Sequence, residues 1–181
     1  MKRFLLASFS AIAAITTFTI SSCEVDKCKS IVCANGGTCE TNGSCSCPSG
    51  YEGERCETVT RDRYKGAWTV TEDGTVSSIA RYVVSVEDNS TSITKINIRN
   101  FNNQNNAVLE AAIVKDSIFI PTQTYTVGTL TKTVVGYGAI VPEKFYKGHG
   151  ELKLYYRVTS SDGIIDNYGY QGVGSPSLWT K

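Results

Sequence analysis

The chain of 181 residues has one histidine, one methionine and four prolines. The single histidine, His149, lies between Gly148 and Gly150 in a turn-like context, and one imidazole supplies neither a zinc set nor an acid–base pair. No serine stands in a Gly-x-Ser-x-Gly setting, so a Ser-His-Asp arrangement using Asp162 or Asp166 has no local support. Carboxylate pairs drawn from Glu110, Asp116, Glu143 and Glu151 would depend on convergence in space, which spacing alone does not show. Charge of one sign is also missing. Eighteen basic residues face seventeen acidic ones, a formal net charge of +1, and this is no footprint for nucleic acid. The expectation is a protein that is not an enzyme, with no cofactor, no metal site and no nucleic-acid partner.

Cysteine is absent after Cys56, yet all seven cysteines of the chain precede that point. Lys2 and Arg3 open a segment in which Phe4 to Ile20 are apolar or small and uncharged, the pattern of a secretion signal. A run of about 17 such residues barely spans a bilayer, so a retained transmembrane helix is the competing reading. Ile20-Ser21-Ser22-Cys23 resembles the bacterial lipobox. The resemblance implies cleavage before Cys23, lipidation of that cysteine and lasting attachment to a membrane, since two or more acyl chains anchor stably where one does not. Removing Lys2 and Arg3 would move the net charge from +1 to about −1. Glu24 and Asp26 are similar to the short acidic tags that follow the lipidated cysteine in surface lipoproteins of Bacteroidota, and they read equally as a solvated linker. The location implied is the outer membrane, lipid-anchored, on its periplasmic or cell-surface face.

The six remaining cysteines follow the pattern C-x4-C-x5-C-x5-C-x-C-x8-C from Cys28 to Cys56. An even number in so short a span reads as a disulfide framework in an oxidising compartment. Cys33-Ala34-Asn35-Gly36-Gly37-Thr38-Cys39 and Cys45-Ser46-Cys47-Pro48-Ser49-Gly50-Tyr51-Glu52-Gly53-Glu54-Arg55-Cys56 resemble EGF-like modules. Six cysteines allow fifteen pairings. The resemblance implies Cys28 with Cys39, Cys33 with Cys45 and Cys47 with Cys56. Calcium-binding EGF modules carry oxygen ligands just before the first cysteine, where this chain has Lys27. The module reads as a spacer or as a recognition element.

Expected boundaries are 1–22 for the lipoprotein signal, 23–57 for the lipidated cysteine and EGF-like domain, 58–64 for a linker with Arg61, Asp62 and Arg63, and 65–181 for a second domain. That last region is all-β by its period of two. Tyr82, Val84 and Val86 alternate with Ser85 and Glu87; Ile96 and Ile98 with Lys95, Asn97 and Arg99; Leu152, Leu154, Tyr156 and Val158 with Glu151, Lys153 and Arg157. Turn chemistry separates the runs at Asp73-Gly74, Glu87 to Ser90, Asn102 to Asn106, Val127-Gly128 and Asp162-Gly163. Ala107 to Val114 is apolar on nearly both faces and reads as a central strand. Seven to nine antiparallel strands must close into a barrel or pair as a sandwich to bury their faces. Gly66-Ala67-Trp68 resembles the Gly-x-Trp opening of lipocalin-like barrels, whose late arginine, for which Arg157 is the candidate here, packs over that tryptophan. This implies a barrel whose cavity is lined by Trp68, Tyr82, Val84, Ile96, Ile98, Leu152, Leu154 and Tyr156 and holds a small apolar or amphipathic ligand. Gly136-Tyr137-Gly138 and Gly169 to Gly174 read as bends at barrel corners or as tyrosines offered to a glycan or protein. Asp116-Ser117-Ile118 resembles the short O-glycosylation pattern of Bacteroidota. The binding alternatives are a ligand inside the barrel and a protein or glycan on its outer surface.

Overall fold

Three disulfides replace a core in the first module. A computed structural model describes residues 26–146 and 148–181; the signal segment and Cys23 lie outside the described residues. Cys28 is joined to Cys39, Cys33 to Cys45 and Cys47 to Cys56. Between these bridges run two small antiparallel hairpins, β1 (Thr38–Cys39) with β2 (Cys45–Ser46) and β3 (Tyr51–Glu52) with β4 (Thr58–Val59). Cys56 is the one buried residue among positions 26–59. Apolar burial therefore contributes little here, whereas each bridge, closing a separation of 9 to 12 residues, contributes about 2–4 kcal/mol by restricting the unfolded chain.

The rest of the described chain is a closed antiparallel barrel. Its strands are β5 (Gly66–Glu72), β6 (Ala80–Asp88), β7 (Lys95–Arg99), β8 (Val108–Val114), β9 (Ser117–Val127), β10 (Leu130–Ile140), β11 (Glu151–Ser160), β12 (Ile165–Tyr168) and β13 (Ser177–Thr180). Each pairs with its sequence neighbour from β5 to β12, and β13 joins β11 to β5, so the ring of eight positions closes; the flank of β12 away from β11 is met by Thr75 of the β5–β6 loop rather than by a strand. The eighth position is shared by β12 and β13, which follow one another along the same flank of β11. The architecture is the up-and-down lipocalin-like barrel rather than the sandwich, and closure removes the unpaired edges that a meander would expose. Among the described residues no helix is long and apolar enough to cross a membrane.

Period-two alternation decides which side chains point inward. β6 buries Tyr82, Val84 and Val86, and β11 buries Leu152, Leu154, Tyr156 and Val158. β8 is not buried on both faces as its composition suggested: Leu109, Ala111 and Ile113 face in, while Val108 and Val114 keep 42% and 55% exposure. A barrel wall has no central strand, so an apolar outer face stays on the surface. Gly136 marks a break in register between β10 and β9. A Cβ there would lie 2.6 Å from Tyr156 Cβ and 2.9 Å from the Tyr155 carbonyl on the other flanking strand, β11, so only glycine lets β10 and β11 approach at this bend.

The charged joint packs the module onto one rim of the barrel. After β4, residues Thr60–Arg63 form a single 3-10 turn. Arg61 donates to the carbonyls of Asn89, Ser92 and Lys95 at 2.9, 2.6 and 3.2 Å, holding the loop between β6 and β7. Arg63 bridges the two parts, at 2.9 Å from Glu52 in the module and 2.6 Å from Asp116 in the barrel. A Cβ on Gly50 would lie 2.8 Å from Ile93, so module and barrel meet by close contact as well as by charge.

Candidate functional site: a packed barrel axis and an outer tyrosine face

The rim beside the module is plugged by Trp68. Its indole N–H donates to the Tyr64 carbonyl at 2.6 Å, and the ammonium of Lys181 stands 4.6 Å from its ring centroid. Lys181 also donates to the carbonyls of Arg63 and Lys65 at 2.6 and 3.0 Å. Burial lowers the pKa of this ammonium, and the ring face and two carbonyls replace the water it loses. The cation expected over Trp68 was Arg157. That arginine points outward from β11 and stacks over Tyr170 instead, at 5.3 Å. Lys181 takes the place because β13 runs beside β5, a pairing between the two ends of the barrel sequence that periodicity does not reveal.

All eight residues expected to line a cavity, Trp68, Tyr82, Val84, Ile96, Ile98, Leu152, Leu154 and Tyr156, lie inside the barrel with 9% exposure or less. They pack on one another and on further rings. Phe101 packs 4.8 Å from Tyr156 and 6.5 Å from Trp179, and Tyr156 stacks on Tyr168 at 4.3 Å. Phe101 comes from the loop between β7 and β8, which turns into the barrel mouth through Asn100, Asn102 and Asn103, all with positive φ. Asparagine is the side chain other than glycine that best tolerates this conformation.

At this end sits a carboxylate that the sequence reading missed. Glu72 ends the inward series Trp68, Val70, Glu72 on β5 and is 5% exposed. Tyr82 donates to its Oε1 at 2.6 Å; Tyr156 and Ser177 donate to its Oε2 at 2.8 and 2.7 Å. Asn102 adds longer contacts to Glu72 Oε1 at 3.4 Å and Tyr156 at 3.2 Å, and donates to Tyr168 at 2.9 Å. Burial, followed by the nearby Glu72 charge, pushes the Tyr82 and Tyr156 hydroxyls far above their ordinary range, which keeps them protonated as donors. Tyr168 is pushed up to about 12, chiefly by burial. The signal that would have found Glu72 is the period-two register of β5, which places an acid on the Trp68 face.

Outside, a different group of rings faces solvent. Tyr137 on β10 and Tyr155 on β11 are direct cross-strand partners and stack at 5.4 Å with planes 14° apart. Phe119 on β9 is the next outward residue in the same row. Between β12 and β13 the chain leaves the wall, and this excursion sets Tyr170 5.8 Å from Tyr137 and under Arg157. The excursion starts at Gly169, with φ of 72°, where a Cβ would lie 2.9 Å from Pro176 N and 3.0 Å from the Tyr155 ring. Thus the glycine-tyrosine stretches make the bend and also assemble the tyrosines around it. Phe119 and Tyr137 retain 47% and 40% exposure.

Comparison with known proteins finds a likeness over a stretch the length of the module. Over 35 residues, 19% of this chain, the sequence is 51% identical to mouse Netrin-G2 and equally to human Netrin-G2. It resembles an EGF/laminin-type repeat. The stretch covers 5% of the mouse protein and 6% of the human one, so the likeness concerns this disulfide-stapled module. No protein-family profile matches the chain, and no solved structure matches it.

The acids considered as a pair engage separate cations: Glu110 meets Lys95, Asp116 meets Arg63 and Glu151 meets Lys144, at 2.6 Å each. Glu143 lies exposed in the 3-10 turn Pro142–Lys144. His149 is exposed and shares a backbone bridge with Tyr146. Asp166 faces the loop between β5 and β6, accepting from the amides of Val76 and Ser77 at 2.9 and 3.2 Å. Among the described residues no cluster of three or more metal-ligating side chains occurs.

Proposed function

We propose that this chain is a bacterial lipoprotein, anchored through Cys23 to the outer membrane and exposed at the cell surface, that binds a partner on the outer wall of its barrel. The observation that supports this reading is the contrast between the two faces of the same strands. Inside, the eight residues expected to receive a ligand fill the space for themselves, together with Phe101, Trp179 and the hydrogen-bonded Glu72 group. Outside, three tyrosines and an arginine gather beside an exposed phenylalanine. Contiguous apolar surface left open on a monomer is where contact sites are found, and here exposed Phe119 and Tyr137 adjoin half-buried Tyr155 and Tyr170. The packed joint at Arg61 and Arg63 gives the EGF-like module the role of a stiff pedestal between membrane and barrel.

The anchoring reading is tested by expressing the full chain in a bacterial host and recording the intact mass and fractionation of the product. The account expects wild type in the outer-membrane fraction, beginning at an acylated Cys23, accessible to protease on intact cells. Cys23→Ala is expected to lose the acyl mass and the membrane association. A Cys23→Ala protein that stays membrane-bound, or a wild type that keeps residues 1–22, would favour a retained transmembrane segment and overturn this part of the proposal.

A further inference from the structure

The outer tyrosine face has a charge character that narrows its partner. β9 and β10 contain no aspartate or glutamate. On β11 the acid is Glu151, which is held by Lys144. The outward residues of β11 that flank Tyr155 are Lys153 and Arg157, and among the described residues neither is paired with a carboxylate. Lys153 is exposed. The Arg157 guanidinium carbon stands 5.3 Å from the Tyr170 ring centroid, a cation–π contact that holds the side chain over this face.

We propose, building on the outer-wall reading above, that this face binds an acidic polysaccharide, with sugar rings stacked on Tyr137 and Tyr170 and uronate carboxylates held by Arg157 and Lys153. Each component answers one property of such a chain. Pyranose rings expose an apolar C–H face, and tyrosine offers a rigid aromatic surface with a polar tip and little rotamer entropy to lose. The carboxylate on successive uronic acids matches two cations placed at either side of Tyr155 on the same strand face, with no acid on β9 or β10 and with Asp166 of the other neighbouring strand, β12, already engaged by the amides of the β5–β6 loop. The stacked pair Tyr137–Tyr155 and the excursion carrying Tyr170 fix the rings before a ligand arrives, so little ordering is lost on binding. An apolar protein surface would use the rings and leave both cations desolvated without partners, which costs affinity. The face is therefore complementary to repeated sugar and charge together.

The test is a titration of the full-length lipoprotein in detergent with an α-1,4-linked oligogalacturonate, alongside a maltooligosaccharide of similar length and a poly-glutamate of similar charge. The expected result is saturable binding of oligogalacturonate, weakened by raising ionic strength to about 0.15 M, with the other two probes binding at least about tenfold more weakly. Arg157→Gln and Tyr137→Ala each reduce the affinity about tenfold, as loss of a charge-assisted hydrogen bond or of a stacking ring does. Tyr137→Phe keeps the ring and most of the affinity, which separates stacking from a folding defect. Failure of oligogalacturonate to bind, equal binding of poly-glutamate, or binding indifferent to Arg157→Gln and Tyr137→Ala overturns the proposal. Co-titration with cis-parinaric acid, an apolar polyene, separates this from the broader reading: one-to-one uptake of the polyene with no glycan binding would show the outer-wall reading itself to be wrong.

Discussion

Glu72 is the side chain on which the barrel interior most depends. A carboxyl group at 5% exposure is tolerated only when its oxygens are hydrogen-bonded, and here three hydroxyls and one amide supply the donors. Glu72→Gln replaces one accepting oxygen by an NH2 group, so either Tyr82 or the pair Tyr156 and Ser177 faces a donor. The expected cost is about 1–3 kcal/mol, read as a lower denaturation midpoint with an unchanged urea slope. Stability equal to wild type would mean that the network rearranges at no cost. Alkali acts on the buried tyrosines of both barrel ends with a definite sign. Tyr64, Tyr82, Tyr125 and Tyr156 have folded pKa values raised by burial, so their contribution is complete below about pH 10, the unfolded value, and is lost as the pH rises above it.

Among the loops and strands, the contact between the β5–β6 loop and β12 is the one with a pH signature. Burial raises the Asp166 carboxyl, but hydrogen bonds from Ser77, from the Val76 amide and from Tyr168 outweigh it, and the net shift is downward. A carboxylate with a lowered folded pKa contributes stability above its unfolded value of about 3.9 and loses it as pH falls through the folded one. Below about pH 4 the Val76 and Ser77 amide resonances should therefore move together by NMR, and Asp166→Asn should abolish that transition. An acid transition at these amides that survives the substitution would assign it to another group. Strand positions such as Tyr82, Ile96 and Leu154 were legible in the sequence because inward and outward residues alternate within each strand, a local property. The cation over Trp68, the meeting of Tyr137 with Tyr170 and the partners of Glu72 were not, because each depends on contacts between strands far apart in sequence. Glu72 could have been read from the Trp68 register. Lys181 could not, since nothing local distinguishes its ammonium from those of exposed lysines.

In the molecule as a whole, module and barrel are held by different means. The disulfide-stapled module, which has no apolar core of its own, is locked to one rim of the barrel through Arg61 and Arg63. The opposite end of the barrel is closed by Phe101, Asn102 and the Glu72 network. Under the proposed function, recognition is left to the outer wall. Trp68 and Trp179 both lie in the interior, so they are natural energy donors to any polyene that enters it. The decisive measurement is a titration of the full-length protein with cis-parinaric acid, with tryptophan excited and polyene emission followed. A filled barrel gives no saturable one-to-one energy transfer, and what weak signal appears is reduced in Tyr137→Ala. A saturable one-to-one transfer that is unchanged in Tyr137→Ala would place a ligand inside the barrel and contradict the account.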